Sequence, residues 1–310
     1  MPLLRRHFLQ ALATLSLMGL GRPAQAAAAG RIPFGFSLYG MKSLPVRDAL
    51  TLCADIGYSG VELPVMADWP CDPDRLDRAA RRELRRQLTD LVLEVPALME
   101  NLPLLGSTSN RRTNLERLRR ACDLAHDLAG DSLPVIETIL GGKPADWGRD
   151  RAAMAETLGE WGRIATDAGV TIAIKAHVGN ALHFPEDVVW LLKQVRNPFI
   201  KAAYDFSHFE RQGLDLAETI HQLLPDVVFV HVKDNVEVAG RTEFALPGDG
   251  ETDYVQLLRL LRAGNYAGAV VVEVSSQVSG KPGYDPAAAA RRSYQQLQPA
   301  FRAAGLRANA

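Results

Sequence analysis

Cysteine is scarce in this chain: three residues among 310, Cys53, Cys71 and Cys122, an odd number without metal-type spacing. A disulfide framework is therefore excluded as the source of stability, and thiols set in helical patterns, as Cys53 and Cys122 are, behave as small hydrophobes. Positive charge is lacking as well. Lys and Arg number 35 against 36 Asp and Glu; setting aside Arg5, Arg6 and Arg22 at the N-terminus leaves 32 against 36, a net charge of −4. That balance excludes an electropositive nucleic-acid-binding face. Beyond residue 26 no apolar run is long enough to cross a bilayer. No glycine-rich phosphate loop of the dinucleotide-binding kind follows the first apolar run, which ends in Ser37-Leu38-Tyr39-Gly40-Met41.

Residues 1–26 read as a cleaved export signal: Arg5-Arg6-His7-Phe8-Leu9, an apolar stretch through Leu20, then Ala24-Gln25-Ala26 as a small-x-small cleavage site. The paired arginines before Phe-Leu resemble a twin-arginine leader, so the expected location is periplasmic or secreted, with no membrane attachment after cleavage. Residues 27–310 then form one domain, since no linker-like shift in composition divides them.

In that domain short apolar runs alternate with amphipathic segments. Strands are expected at Phe34–Leu38, Val61–Leu63, Leu93–Leu98, Pro134–Leu140, Thr171–Ile174, Phe199–Tyr204, Val227–Val230 and Ala269–Val274. Helices are expected at about 45–56, 75–91, 113–128, 150–168, 185–195, 214–224, 253–263 and 286–304, many begun by Pro or ended by Gly. Eight strand and helix pairs in strict alternation give the count of a closed α/β (β/α)8 TIM barrel; an open doubly wound sheet would have shorter or more polar edge strands.

Several strands end in charge. Ile172 to His177 reads Ile-Ala-Ile-Lys-Ala-His, Lys201 to His208 ends in Asp-Phe-Ser-His, Val227 to Asp234 in His-Val-Lys-Asp, and Ala269 to Ser275 carries Glu273. An unpaired charge taken out of water costs several kcal/mol, so groups kept at buried strand ends are read as functional. Parallel strands bring such ends to one rim, the catalytic face of a barrel. The candidates there are Tyr39, Glu62, Glu137, Lys175, His177, Asp205, His208, His231, Lys233, Asp234 and Glu273. Cations able to clamp a phosphate are sparse at this rim, Lys143, Lys233 and Arg241 being the candidates, so an unphosphorylated carbohydrate is the expected small-molecule partner. Trp69, Trp147 and Tyr284 are candidates to stack on a sugar ring or to pack on neighbouring helices.

Asp205-x-x-His208, His231-Val-Lys-Asp234, Pro247-Gly248-Asp249-Gly250 and Glu273 together resemble the sugar isomerase and epimerase group of xylose-isomerase-like barrels, to which endonuclease IV is more distantly related. The resemblance implies a divalent metal (Mn, Mg or Zn) held by an acid from strand five with Asp205, His231 and Glu273. It also implies proton transfer at a carbon beside a sugar carbonyl. Expected roles are proton transfer for Glu273 with Lys175 or His177, and substrate binding for Tyr39, Glu62, Glu137, His208 and Lys233.

The chain departs from that pattern at strand five, where Glu-x-His is replaced by Lys175-Ala176-His177. An ammonium about 4 Å from a dication is repelled by roughly 8 kcal/mol at an effective dielectric of 20. Two alternatives stand: Lys175 is neutral or turned aside and a metal rests on Asp205, His231 and Glu273 with His208 or His177, or Lys175 takes the metal's place. Three functions remain open at this stage: a sugar isomerase, epimerase or lyase; a non-catalytic sugar-binding barrel; and a nuclease of the endonuclease IV type, which would need more His and Asp ligands. Homo-oligomerisation is left open.

Overall fold

A computed structural model describes residues 31–307. The expected leader, residues 1–26, lies outside the described residues. Eight parallel strands close into a barrel: β1 (Phe34–Ser37), β2 (Gly60–Pro64), β3 (Ala97–Met99), β4 (Val135–Ile139), β5 (Ile172–Lys175), β6 (Ile200–Asp205), β7 (Val227–Val232) and, after a two-stranded hairpin of β8 (Asp234–Val238) and β9 (Arg241–Ala245), β10 (Val270–Val272). β10 pairs with both β1 and β7, which shuts the ring. The expected (β/α)8 architecture is the observed one.

The long helices lie where amphipathic periodicity placed them: α1 (Val46–Ile56), α2 (Arg78–Asp90), α3 (Thr108–Leu128), α4 (Trp147–Ala168), α5 (Pro185–Val195), then a short α6 (Phe206–Glu210), α7 (Leu216–Leu223), α8 (Tyr254–Ala263), a short α9 (Ser276–Ser279) and α10 (Pro286–Ala303). α3 begins five residues earlier than the expected Thr113 because the Ser107 hydroxyl accepts from the Asn110 backbone N–H and caps it. β3 is shorter than the expected Leu93–Leu98, since Pro96 has no N–H to give a ladder. The segment after Lys233, read as a loop, contains the hairpin β8–β9, whose turn residues Ala239 and Gly240 both have positive φ, 50° and 73°. Among the described residues no helix is long and apolar enough to cross a membrane.

The strand period of two decides what enters the barrel. Val61, Leu63, Ile136, Ile172, Ile174, Ala202, Tyr204, Val230, Val232, Val270 and Val272 join the large core between strands and helices. The alternate residues point to the axis, where Ala97, Ala173, Ala203, Phe229, Ala269 and Val271 form a separate apolar cluster. One step further along the same inward faces come Lys175 above Ala173, Asp205 above Ala203, His231 above Phe229 and Glu273 above Val271. Four alanines in this floor leave room for the charged layer, and the Phe229 ring meets His231 edge-on at 4.8 Å.

Candidate functional site

The inward polar positions converge. Glu62, Glu137, Lys175, Asp205, His208, His231 and Lys233 are each at most 3% exposed, while the Glu273 side chain is 13% exposed. Lys175 Nζ lies 2.9 Å from His231 Nδ1 and 3.4 Å from both Glu273 oxygens. It is also 3.0 Å from Glu137 Oε1, but out of line for a directed hydrogen bond, so both Glu137 oxygens are left without one. Lys233 Nζ donates to Asp205 Oδ2 and, at 2.6 Å, to Glu273 Oε2. Ser207 Oγ donates to Asp205 Oδ1 at 2.6 Å.

Hydrogen bonding fixes the histidine protons. His231 Nε2 lies 3.0 Å from Glu62 Oε2 and donates to it, leaving Nδ1 to accept from Lys175. Burial opposes charge on His231, yet Glu62 and Glu273 raise its pKa. Burial likewise opposes charge on Lys175, but Glu137 and Glu273 drive its pKa far above the ordinary value, so the one proton between the two nitrogens belongs to the lysine. His177 Nδ1 accepts from the Gly179 N–H at 3.0 Å and His208 Nδ1 from the Val178 N–H at 3.4 Å, and the two rings pack with centroids 4.2 Å apart. Burial, reinforced by the two lysines, pushes the His177 pKa down to about 4 and holds His208 well below the ordinary range. Both imidazoles are neutral near pH 7, with the proton on Nε2.

The carboxylates are driven apart. Burial favours a protonated Glu273, but Lys175, Lys233 and His231 outweigh it and hold the carboxyl well below its usual range. For Glu137 burial wins over Lys175, and its pKa is raised. One carboxylate is thus kept ionised at the open side of the pocket, and another near it takes a proton more readily.

Asp205, His231 and Glu273 each bring a donor atom within 4.8 Å of the others, and so do Glu62, Glu137 and His231. The spacing is one that a divalent ion can bridge. The occupancy of the donors is against it: His231 Nδ1, Asp205 Oδ2 and Glu273 Oε2 each already face an ammonium of Lys175 or Lys233. With both lysines in place the residues do not fit a dication.

The remaining candidates fall outside this cluster. Tyr39 stacks on Trp69, with centroids 5.1 Å apart, while Lys42 sits 4.4 Å from the Trp69 ring centroid, so Trp69 is engaged within the protein. Trp147 packs edge-on against Trp190, the helix-packing alternative for that residue. Asp234 turns to the loop below the hairpin, where it accepts from the Gly248 N–H at 2.7 Å, the Gly250 N–H at 2.8 Å and the Tyr254 hydroxyl. A Cβ at Gly250 would come within 3.0 Å of Asp234 Cβ, so the glycine is needed for that closure. Cys53, Cys71 and Cys122 are free and buried, and burial raises each thiol's pKa, that of Cys71 and Cys122 to about 12. Sequence reasoning missed Phe244, which β9 lays against His208 and Lys233, the ammonium being 5.1 Å from the ring centroid.

A family model described as xylose isomerase-like TIM barrel matches residues 50–299. Inosose dehydratase from Clostridium perfringens is 26% identical over 135 residues, which are 39% of this chain and 46% of that protein. The chain therefore spans about half the length of the curated relatives of this kind that it matches. Among solved structures, 3-keto-D-glucoside 4-epimerase from E. coli has a TM-score of 0.69 at 18% identity, with 87% of this chain and 100% of that one covered. The IOLI protein, solved with a zinc atom, has a TM-score of 0.72 at 16% identity, with 87% and 98% covered. The closed barrel and the family match over residues 50–299 lead to one conclusion: the chain belongs to the xylose isomerase-like TIM barrel family.

Proposed function

We propose that this protein is an isomerase, epimerase or lyase that moves a proton at a carbon beside the carbonyl of an unphosphorylated carbohydrate. The observation that carries this reading is Glu273, a carboxylate held ionised between two ammonium groups at the open side of a buried charged pocket. A base next to hydrogen-bond donors is what enolate chemistry requires: the carboxylate takes the proton while N–H groups hold the charge that builds on the carbonyl oxygen. A sugar oxygen that accepts from Lys175 or Lys233 withdraws a hydrogen bond from Glu273, and the carboxylate becomes a stronger base as substrate arrives. The His177 Nε2–H supplies a donor for the returning proton or a departing hydroxyl.

The comparisons support this class without choosing within it: one relative is named as a dehydratase, and one structural neighbour as an epimerase of a 3-keto sugar. An unphosphorylated substrate is supported by the state of the rim cations: Lys233 is held by Asp205 and Glu273, while Lys143, in the loop after β4, and Arg241, at the start of β9, are exposed. Export through a twin-arginine leader to the periplasm agrees with such a substrate. A divalent metal on Asp205, His231 and Glu273 remains part of the reading only where Lys175 and Lys233 are displaced.

The second reading, a non-catalytic sugar-binding barrel, is favoured by the ammonium at position 175. The test is product analysis after incubation with free aldoses, ketoses, keto sugars and their phosphates. Turnover of an unphosphorylated sugar is expected. Tight binding by calorimetry with no product from any of them would give the pocket to the second reading.

A further inference from the structure

We infer that Lys175 and Lys233 together replace the divalent metal of the family's pocket, so that this chain holds its sugar site charged and ordered with no metal bound. The inference rests on the proposed reading only for the use made of the charge, and its test reads metal binding rather than turnover.

The argument is one of occupancy and charge. A dication would need one donor each from Asp205, His231 and Glu273, which lie within 4.8 Å of one another. Each of those donors already faces an ammonium: His231 Nδ1 is 2.9 Å from Lys175 Nζ, Glu273 Oε2 is 2.6 Å from Lys233 Nζ, and Asp205 Oδ2 accepts from Lys233. Two ammoniums carry the charge of one dication. They carry it at two points, each directed by N–H bonds, instead of one.

The lysines have nowhere else to go. Each is 3% exposed. Lys175 rises from an inward strand position over Ala173, with Glu137 on its far side at 3.0 Å, and Lys233 is closed in by the Phe244 ring. A metal bridging those three donors would lie against both ammoniums, which face the same donor atoms, and would be repelled by each. To escape that, Lys175 would have to leave Glu137, whose two oxygens have no hydrogen bond to replace it. The change at position 175 is therefore an exchange of a ligand for the charge the ligand would have bound.

The exchange alters what the site offers a substrate. Ammonium N–H groups donate hydrogen bonds to a substrate oxygen, whereas a bound dication offers an open coordination position. A carbonyl oxygen with a neighbouring hydroxyl fits two donors, one at the end of β5 and one just past β7, on either side of β6.

The test uses the full mature chain, with Mn2+ and Mg2+ as probes. Purified protein is assayed for bound metal, then melted in EDTA and in millimolar MnCl2 or MgCl2. The expected result is no stoichiometric metal and a melting temperature equal in all three. Lys175→Glu/Lys233→Met, which puts a carboxylate back among the donors and frees Asp205 and Glu273 from the second ammonium, is expected to gain a Mn2+-dependent rise of about 5 °C or more. If that variant folds only with Mn2+ present, the gain is shown more directly. One Mn2+ per wild-type chain that Asp205→Asn abolishes, or a fall in wild-type melting temperature in EDTA, would overturn the inference. A wild-type protein indifferent to metal yet inactive on every sugar would sink the proposed function and leave this inference standing.

Discussion

Replacing Lys175 by Met keeps the length of the side chain and removes its charge from a site 3% exposed. Glu273 retains Lys233 at 2.6 Å, but Glu137 loses the cation 3.0 Å away and has no hydrogen bond in its place. Breaking a buried ion pair by removing one partner costs about 3–5 kcal/mol. For a domain of this size, at about 2–3 °C per kcal/mol, the melting temperature should fall by about 6–15 °C near pH 7.5. The loss should depend on pH with a defined sign. Glu137 already has a raised pKa, and without Lys175 it rises further, so the folded variant binds a proton that the unfolded chain releases above about pH 4.3. The penalty grows as pH rises and shrinks by up to about 1.4 kcal/mol per unit as pH falls, so most of it should be gone at pH 5. Denaturant melts of wild type and variant at pH 7.5 and pH 5 measure the gap, and Lys175→Met/Glu137→Gln should restore most of it at pH 7.5. A gap independent of pH, or a double variant no better than the single one, would refute the pairing of Lys175 with Glu137.

Three further outcomes follow from local structure. Because the folded state keeps His177 near a pKa of about 4 and His208 well below its ordinary range, their contribution is fully present above about pH 6.5 and is lost as pH falls toward 4; His177→Gln should flatten that part of a stability–pH profile. Ala239, at φ 50° in the β8–β9 turn, should give up to about 1 kcal/mol on Ala239→Asn, because Asn tolerates the left-handed region that this two-residue turn needs; a higher denaturant midpoint is the readout. Val92 has φ 54° and is 81% exposed at the end of α2, so Val92→Gly relieves backbone strain without removing packing and should raise the same midpoint by about 0.5–1 kcal/mol.

Much of the pocket was legible because two simple rules coincide in it. Parallel strands align their carboxyl ends, and a period of two puts Glu62, Glu137, Lys175, Asp205, His231 and Glu273 on the axis, each beside an outward apolar residue: Tyr204 and Phe206 for Asp205, valine, leucine or isoleucine for the others. The same rule would have put Lys233 on the face of His231 and Phe229. What the rules do not carry is where a long side chain ends: that Lys233 bridges Asp205 and Glu273, and that Lys175 reaches across to His231, depends on contacts between strands. The hairpin was not legible because its turn is Ala239-Gly240, without the Asn-Gly or Asp-Gly that marks such turns, so Phe244 was missed with it. Asp234 shows the converse: an acid at a strand end whose bonds all go to a neighbouring loop and a tyrosine.

The most direct measurement of the central claim is hydrogen exchange in D2O, followed by proton NMR on a sugar that the enzyme turns over, with wild type and Glu273→Gln side by side in EDTA. The account predicts that wild type replaces the hydrogen on the carbon next to the carbonyl with deuterium, and that Glu273→Gln does so at least about 100-fold more slowly. Exchange by Glu273→Gln at the wild-type rate would contradict it.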